Sequence, residues 1–257
     1  MIFRHRSSIV STAVSTAVTL VAFALMVAPA WGQRNDFKPP AGPVPRTADG
    51  KPDLSGVWDR PYVPDMTKTT PNQQGLAELP FSAAGAAAWN RYHAEEGDYT
   101  GACLPVGLVR SINSPMPMQI VQNAKYMSFN FEFGNWYHVV PIDGRKHRDI
   151  NPTWFGDSIG RWDGDTLVVD TVNFNGKTRL DTIGHPLSDK LHVVQRYTRT
   201  DLGHIAYEIT IDDPQTFTKP WKNTRTFTLR PDWELMEYSC EENNKSLWEG
   251  RIKVPTF

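Results

Sequence analysis

The chain has 257 residues, 40% hydrophobic and 21% charged, with 27 Lys and Arg against 28 Asp and Glu for a net charge of −1. Such a composition excludes a disordered polymer, which would lack the apolar surface to fold. It equally excludes nucleic-acid binding driven by bulk positive charge.

The first six residues, MIFRHR, are basic, Ile9 to Ala28 is apolar, and APAWGQ offers small residues to a peptidase. This is the layout of a secretory signal over residues 1–32, with cleavage expected after Gly32 and after Ala30 as the alternative. An uncleaved anchor is the competing reading, since about 20 apolar residues span a bilayer. The Ser and Thr inside the run argue against it, and no Cys stands at the junction to take a lipid. Removing the segment takes away Arg4 and Arg6 and no acid, leaving 25 basic against 28 acidic groups. The expected location is periplasmic or secreted, with no stable membrane insertion after cleavage.

Residues 33–52 are rich in Pro, Gly and charge without apolar periodicity, and are expected to form an extended arm, mobile or wrapped. Residues 53–257 are expected to form one domain. DLSGVW (53–58) is the first strand candidate. A helix is expected over about 82–96, with Ser82 as its N-cap, alanines for propensity, and Trp89 and Tyr92 on one face.

From Met116 onward the period is two, in short runs separated by Gly, Asn, Asp or Pro: MQIVQ, KYMSFNFEF, NWYHVVPI, SIGRW, TLVVDTVNF, KLHVVQRYTRT, HIAYEITID, NTRTFTLR and ELMEYSC. So many strands with one helix predict a mainly β protein, a single antiparallel barrel joined as a meander, because an open sheet would leave long edges exposed. A two-sheet sandwich is the alternative. Within GDSIGRWDGDTLVVDT, Asp163-Gly164 is expected at the centre of a type I′ hairpin turn. Asp157 and Asp165 flank the strands without the spacing of a calcium loop. Asp170 interrupts an apolar strand, which suits a carboxylate paired at a wet lumen or a strand end.

Cys103 and Cys240 are the only cysteines, and export would place them where pairing is favoured. One disulfide is expected, stabilising by roughly 4 to 5 kcal/mol through chain entropy.

The later strands have mixed faces, as in a barrel whose interior holds a ligand. His147, near Arg145 and Asp149, is the best general-base candidate, with Asp149 orienting it; His192 is the second. Glu132 is the expected complementary carboxylate and Arg196 the anion or oxyanion stabiliser. His138, His185, Trp154, Trp162 and Tyr207 are expected to line the substrate site, the aromatics by stacking. No HExxH, HxH or CxxC pattern, phosphate loop or GxSxG elbow is present, so no metal and no cofactor are expected. A small-molecule binder is therefore the expected function, with metal-independent lyase, isomerase or hydrolase chemistry on an aromatic or sugar-like substrate as the alternative. A structural protein without a pocket is the third class. Nothing in the residues bears on oligomeric state.

Several segments together, among them IDGRKH, GDSIGRWDGDTLVVDT, DPQTFTKPW and EYSCEENN, resemble an exported, uncharacterised bacterial family of acidobacterial type, over most of residues 100–244. The resemblance implies an exported soluble protein and supplies no catalytic residues. SGVW also resembles the Gly-x-Trp of lipocalin-like barrels, which would put Gly56 and Trp58 at the barrel floor.

Overall fold

The computed structural model describes residues 37–71, 73–93, 98–242 and 244–252. The signal segment and the first four residues of the arm lie outside them. Contacts divide the chain after Lys38, and every element of the fold belongs to the unit from Pro39 to Phe257.

Among the described residues ten strands form one sheet: β1 (Gly56–Asp59), β2 (Gln73–Gln74), β3 (Met118–Gln122), β4 (Tyr126–Phe131), β5 (Trp136–Pro141), β6 (Asp157–Asp163), β7 (Thr166–Val172), β8 (His192–Arg199), β9 (His204–Asp212) and β10 (Trp221–Leu229). The hydrogen-bonded order is β5-β4-β3-β1-β10-β9-β8-β7-β6, with β2 added to the free edge of β10. Every strand pair is antiparallel. Two meanders, β3–β5 and β6–β10, are thus joined by β1, which the expectation of simple sequential hairpins did not include.

The path curls into a nearly closed barrel. Its two ends, β5 and β6, meet through side chains instead of a ladder: His138 Nε2 lies 2.6 Å from Ser158 Oγ, and a Cβ on Gly160 would come within 2.6 Å of Ile142 and 3.0 Å of Val140. Glycine is what lets the seam shut there. Inside, alternation buries Val193, Gln195 and Tyr197 of β8, Ile205, Tyr207 and Ile209 of β9, and Phe227 of β10. Tyr197 packs on Phe129 and on Tyr207, each with ring centroids 5.0 Å apart, and Tyr207 stacks on Phe227 at 4.7 Å. These rings fill the middle of the barrel that the mixed strand faces suggested would be hollow.

The β6–β7 hairpin forms as expected, one residue out of frame. Asp163 pairs with Thr166, so Gly164 and Asp165 are the central residues, and of these only Gly164, at φ +58°, has a positive φ. Glycine first and an ordinary residue second is the type II′ pattern, not type I′.

Among the described residues there are three short α-helices where one was expected: α1 (Ala83–Asn90), α2 (Leu108–Asn113) and α3 (Lys245–Trp248). Ser82 does cap α1, its Oγ accepting the Gly85 N–H at 3.0 Å. The stretch Leu108–Asn113 carries no amphipathic period because all six residues are buried. ELMEYSC forms no strand. Its backbone N–H groups are taken by side chains, Met236 by Glu132 Oε2 at 2.9 Å and Tyr238 by Asn135 Oδ1 at 3.3 Å. The segment ends in the expected disulfide, Cys103–Cys240. The arm wraps: Arg46 makes a bidentate pair with Asp165 at 2.9 and 2.6 Å.

Candidate active site

On the outer wall, near the seam, Asp157 of β6 pairs with Val172 of β7, while Asp170, two residues back on the same face of β7, pairs with Val194, two residues on from His192 of β8. The segment joining β5 to β6 lays His147 over them. His147 Nε2 is 2.9 Å from Asp170 Oδ1, and its Nδ1 is 3.2 Å from Asp157 Oδ2. Asp170 then presents its other oxygen to His192 Nε2 at 3.1 Å. One carboxylate is shared by two imidazoles.

Asp157 is fixed from the side. Arg148 donates its backbone N–H to Oδ2 at 2.8 Å and its Nε–H to Oδ1 at 2.7 Å. Burial alone would raise the Asp157 pKa, but these bonds and the one to His147 outweigh it and hold the carboxyl below its ordinary value. Asp157 is therefore an anion that holds His147 in place. His192 is 38% exposed at its side chain, and with Nε2 committed to Asp170 its Nδ1 is the ring nitrogen left for another partner.

Farther along the same wall lies a groove of about 460 Å³ between the loop bearing Thr70 and the outward residues of β8 to β10, among them Arg196, Thr198, Glu208, Thr224 and Thr226. Its lining is mostly hydroxyl and charged groups. Arg196 stands four residues from His192 on the same face of β8, roughly 13 Å away by strand rise.

The structure thus brings His147 and His192 together, but through Asp170 and not Asp149, which is exposed. Both histidines and Arg196 sit on the outer wall instead of in the lumen. Arg196 pairs with Asp163 at 3.0 Å. Glu132 is not part of the array; it holds the Met236 backbone.

The expected substrate-lining residues scatter. His138 is inside at the seam, hydrogen bonded to Ser158, and burial lowers its pKa to about 4, so it is neutral. His185 is buried under Trp89, ring centroids 4.5 Å apart, with Nδ1 2.7 Å from Asp181 Oδ2. Asp65 stands close enough to this pair to complete a metal-sized cluster. Asp181 is nevertheless already saturated by the N–H groups of Met66, Gly184 and His185, so hydrogen bonding accounts for the geometry. Trp154 packs near Tyr99, Trp162 against the core, and Tyr207 in the interior rings.

Sequence reasoning missed the orienting carboxylates, although Asp170 gave a signal by interrupting an apolar run. It also missed an interior pair, Arg60 and Arg225, 2% and 4% exposed. Arg60 donates to the carbonyls of Ser111, Ile112 and Met116 at 2.7, 2.8 and 2.6 Å. Arg225 reaches the same Ile112 carbonyl at 3.5 Å and donates from Nε to Asn223 Oδ1 at 2.8 Å. Burial, and then repulsion from Arg225, pushes Arg60 down to about 9; burial pushes Arg225 down to about 10. Neither forms an ion pair among the described residues.

No family model and no curated protein matches this sequence.

Proposed function

We propose that this chain is an exported protein that binds a small hydroxyl-rich molecule on its outer wall and performs metal-independent acid/base chemistry there. His192 is the general base, Asp170 orients it, and His147 positions Asp170. The observation that carries the reading is Asp170, whose two oxygens engage two imidazoles on the same wall as a polar groove. A carboxylate on Nε2 fixes the neutral tautomer with its proton there and leaves Nδ1 free to accept one, the minimal arrangement for proton abstraction. Arg196, at the groove, is placed to hold an anionic or developing negative group. The basic-apolar N-terminus and the disulfide support export to an oxidising compartment. Among the described residues no helix is long and apolar enough to cross a membrane.

The test uses p-nitrophenyl acetate as a probe of an activated imidazole. Wild type is expected to hydrolyse it, with His192 as the base. His192→Gln should lose about tenfold or more, and Asp170→Asn severalfold. His204 is the control, because it makes an ordinary surface pair with Asp201 at 2.9 Å, so His204→Gln should change nothing. Equal rates in wild type and His192→Gln would remove the acid/base assignment.

A further inference from the structure

Among the described residues six buried side-chain polar atoms have no hydrogen-bond partner, and five belong to the two arginines, to the residues flanking Ile112, or to Gln195: Arg60 Nε, Arg225 Nη2, Ser111 Oγ, Asn113 Oδ1 and Gln195 Oε1. Ser111 and Asn113 flank Ile112 on α2, whose carbonyl both arginines reach. Gln195, fully buried, joins through the tyrosines, its Nε2 donating to the hydroxyls of Tyr197 and Tyr207 at 3.0 and 2.9 Å, while the Arg225 guanidinium lies 5.9 Å from the Tyr207 ring. Three of the five atoms can donate, from Arg60, Arg225 and Ser111. The other two are acceptors that a buried water satisfies.

Water would complete the hydrogen bonds but not the charge. A guanidinium does not give up its proton inside a protein, and a buried unpaired charge costs several kcal/mol. The phenols do not neutralise it either, since burial raises Tyr207 to about 12 and Tyr197 well above its ordinary value. Asp59, the acid next to Arg60 in sequence, belongs to the outward face of β1 and acts on Arg60 only through space, more strongly on Arg230. What fits two cations and three spare donors is an acceptor carrying negative charge.

A gap in the sheet lies beside them. β1 pairs with β10 at Thr228 and Leu229, and β2 pairs at Thr224 and Arg225, so among the described residues Thr226 and Phe227 have no strand neighbour on that side. Two surface depressions of about 330 and 460 Å³ meet at Thr226; Arg60 lines the first and Arg225 the second.

We propose that the inner wall beside α2 binds a small monovalent anion, a halide or the carboxylate of a small acid, on the guanidinium groups of Arg60 and Arg225. This site is separate from the histidine array and does not depend on the reading of that array.

The experiment is thermal unfolding of the mature protein after exhaustive dialysis into sodium HEPES, with sodium chloride and sodium acetate titrated separately at constant ionic strength. Tm should rise by roughly 3 °C or more per tenfold increase in the bound anion above its Kd. A rise with chloride alone identifies a halide site, a rise with acetate alone a carboxylate site, and both together a site for either. Arg225→Gln should abolish the dependence, and Arg161→Gln, on the exposed outer face of β6, should keep it. Gln195→Glu keeps the side-chain shape and adds an internal carboxylate; it should raise Tm in anion-free buffer and flatten the titration. A flat titration of wild type overturns the proposal, as does an undiminished slope in Arg225→Gln. If Arg225→Gln fails to fold, an unchanged slope in Gln195→Glu overturns it.

Discussion

The two walls of the barrel handle charge in opposite ways. Outside, the histidine array, Arg148 with Asp157, and Arg196 with Asp163 set each basic side chain against a carboxylate at 2.7 to 3.2 Å, and most of these groups keep some contact with solvent. Inside, Arg60 and Arg225 have carbonyls and a side-chain amide but, among the described residues, no carboxylate. Water weakens what the outer pairs contribute and also makes their loss tolerable, whereas low dielectric magnifies every mismatch in the interior. The outer wall is therefore suited to proton traffic, which needs groups that change charge cheaply. The inner wall is suited to holding one fixed charge.

The contrast between the walls can be broken first at Arg60. Arg60→Ala would take the guanidinium hydrogen bonds from the carbonyls of Ser111, Ile112 and Met116 and leave a cavity in their place, and a loss of about 3 to 5 kcal/mol is expected in urea unfolding. A loss below about 1 kcal/mol would mean that the interior is as forgiving as the surface.

His138 sharpens the same contrast through pH. Its folded pKa, about 4, lies below the unfolded 6.5. Between these values the unfolded chain binds the extra proton, so stability is complete above about pH 6.5, falls as the pH drops, and levels off below about 4. The loss is on the order of 3 kcal/mol from this group. A His138→Gln variant should lose that slope while keeping whatever acid sensitivity Asp157 contributes; an unchanged slope would show that His138 titrates normally.

The smallest effect is expected at Arg196–Asp163, where the side chains are 38% and 58% exposed. A double-mutant cycle with Arg196→Gln and Asp163→Asn should give less than about 1 kcal/mol.

Much of this architecture was legible in the sequence, because period-two alternation and turn residues are local. The strands from MQIVQ to NTRTFTLR, the Ser82 cap and the Cys103–Cys240 bond are all present. Facing could not be read. β8 puts Val193, Gln195, Tyr197 and Arg199 inside against His192, Val194, Arg196 and Thr198 outside, two sets of nearly equal polarity. ELMEYSC alternates like a strand, yet its partners are the side chains of Glu132 and Asn135, more than a hundred residues away. The site was half legible for the same reason. His147 and His192 stood out as titratable groups, but proximity in sequence favoured Asp149, while the true partners lie 10 and 23 residues off and are brought in by strand register. Arg60 and Arg225 gave no signal, since an arginine in a strand-rich region is ordinarily a surface residue.

The place of β1 in the sheet also bears on how the chain folds. Trp58 aligns with Met118 on one side and with Leu229 on the other, so the strand made first must wait for the strand made last. During synthesis the two meanders can form separately, but neither can be joined to the other until β10 has emerged from the ribosome. Folding of this unit should consequently be slow and nearly all-or-none, with truncation at β10 leaving two unjoined half-sheets.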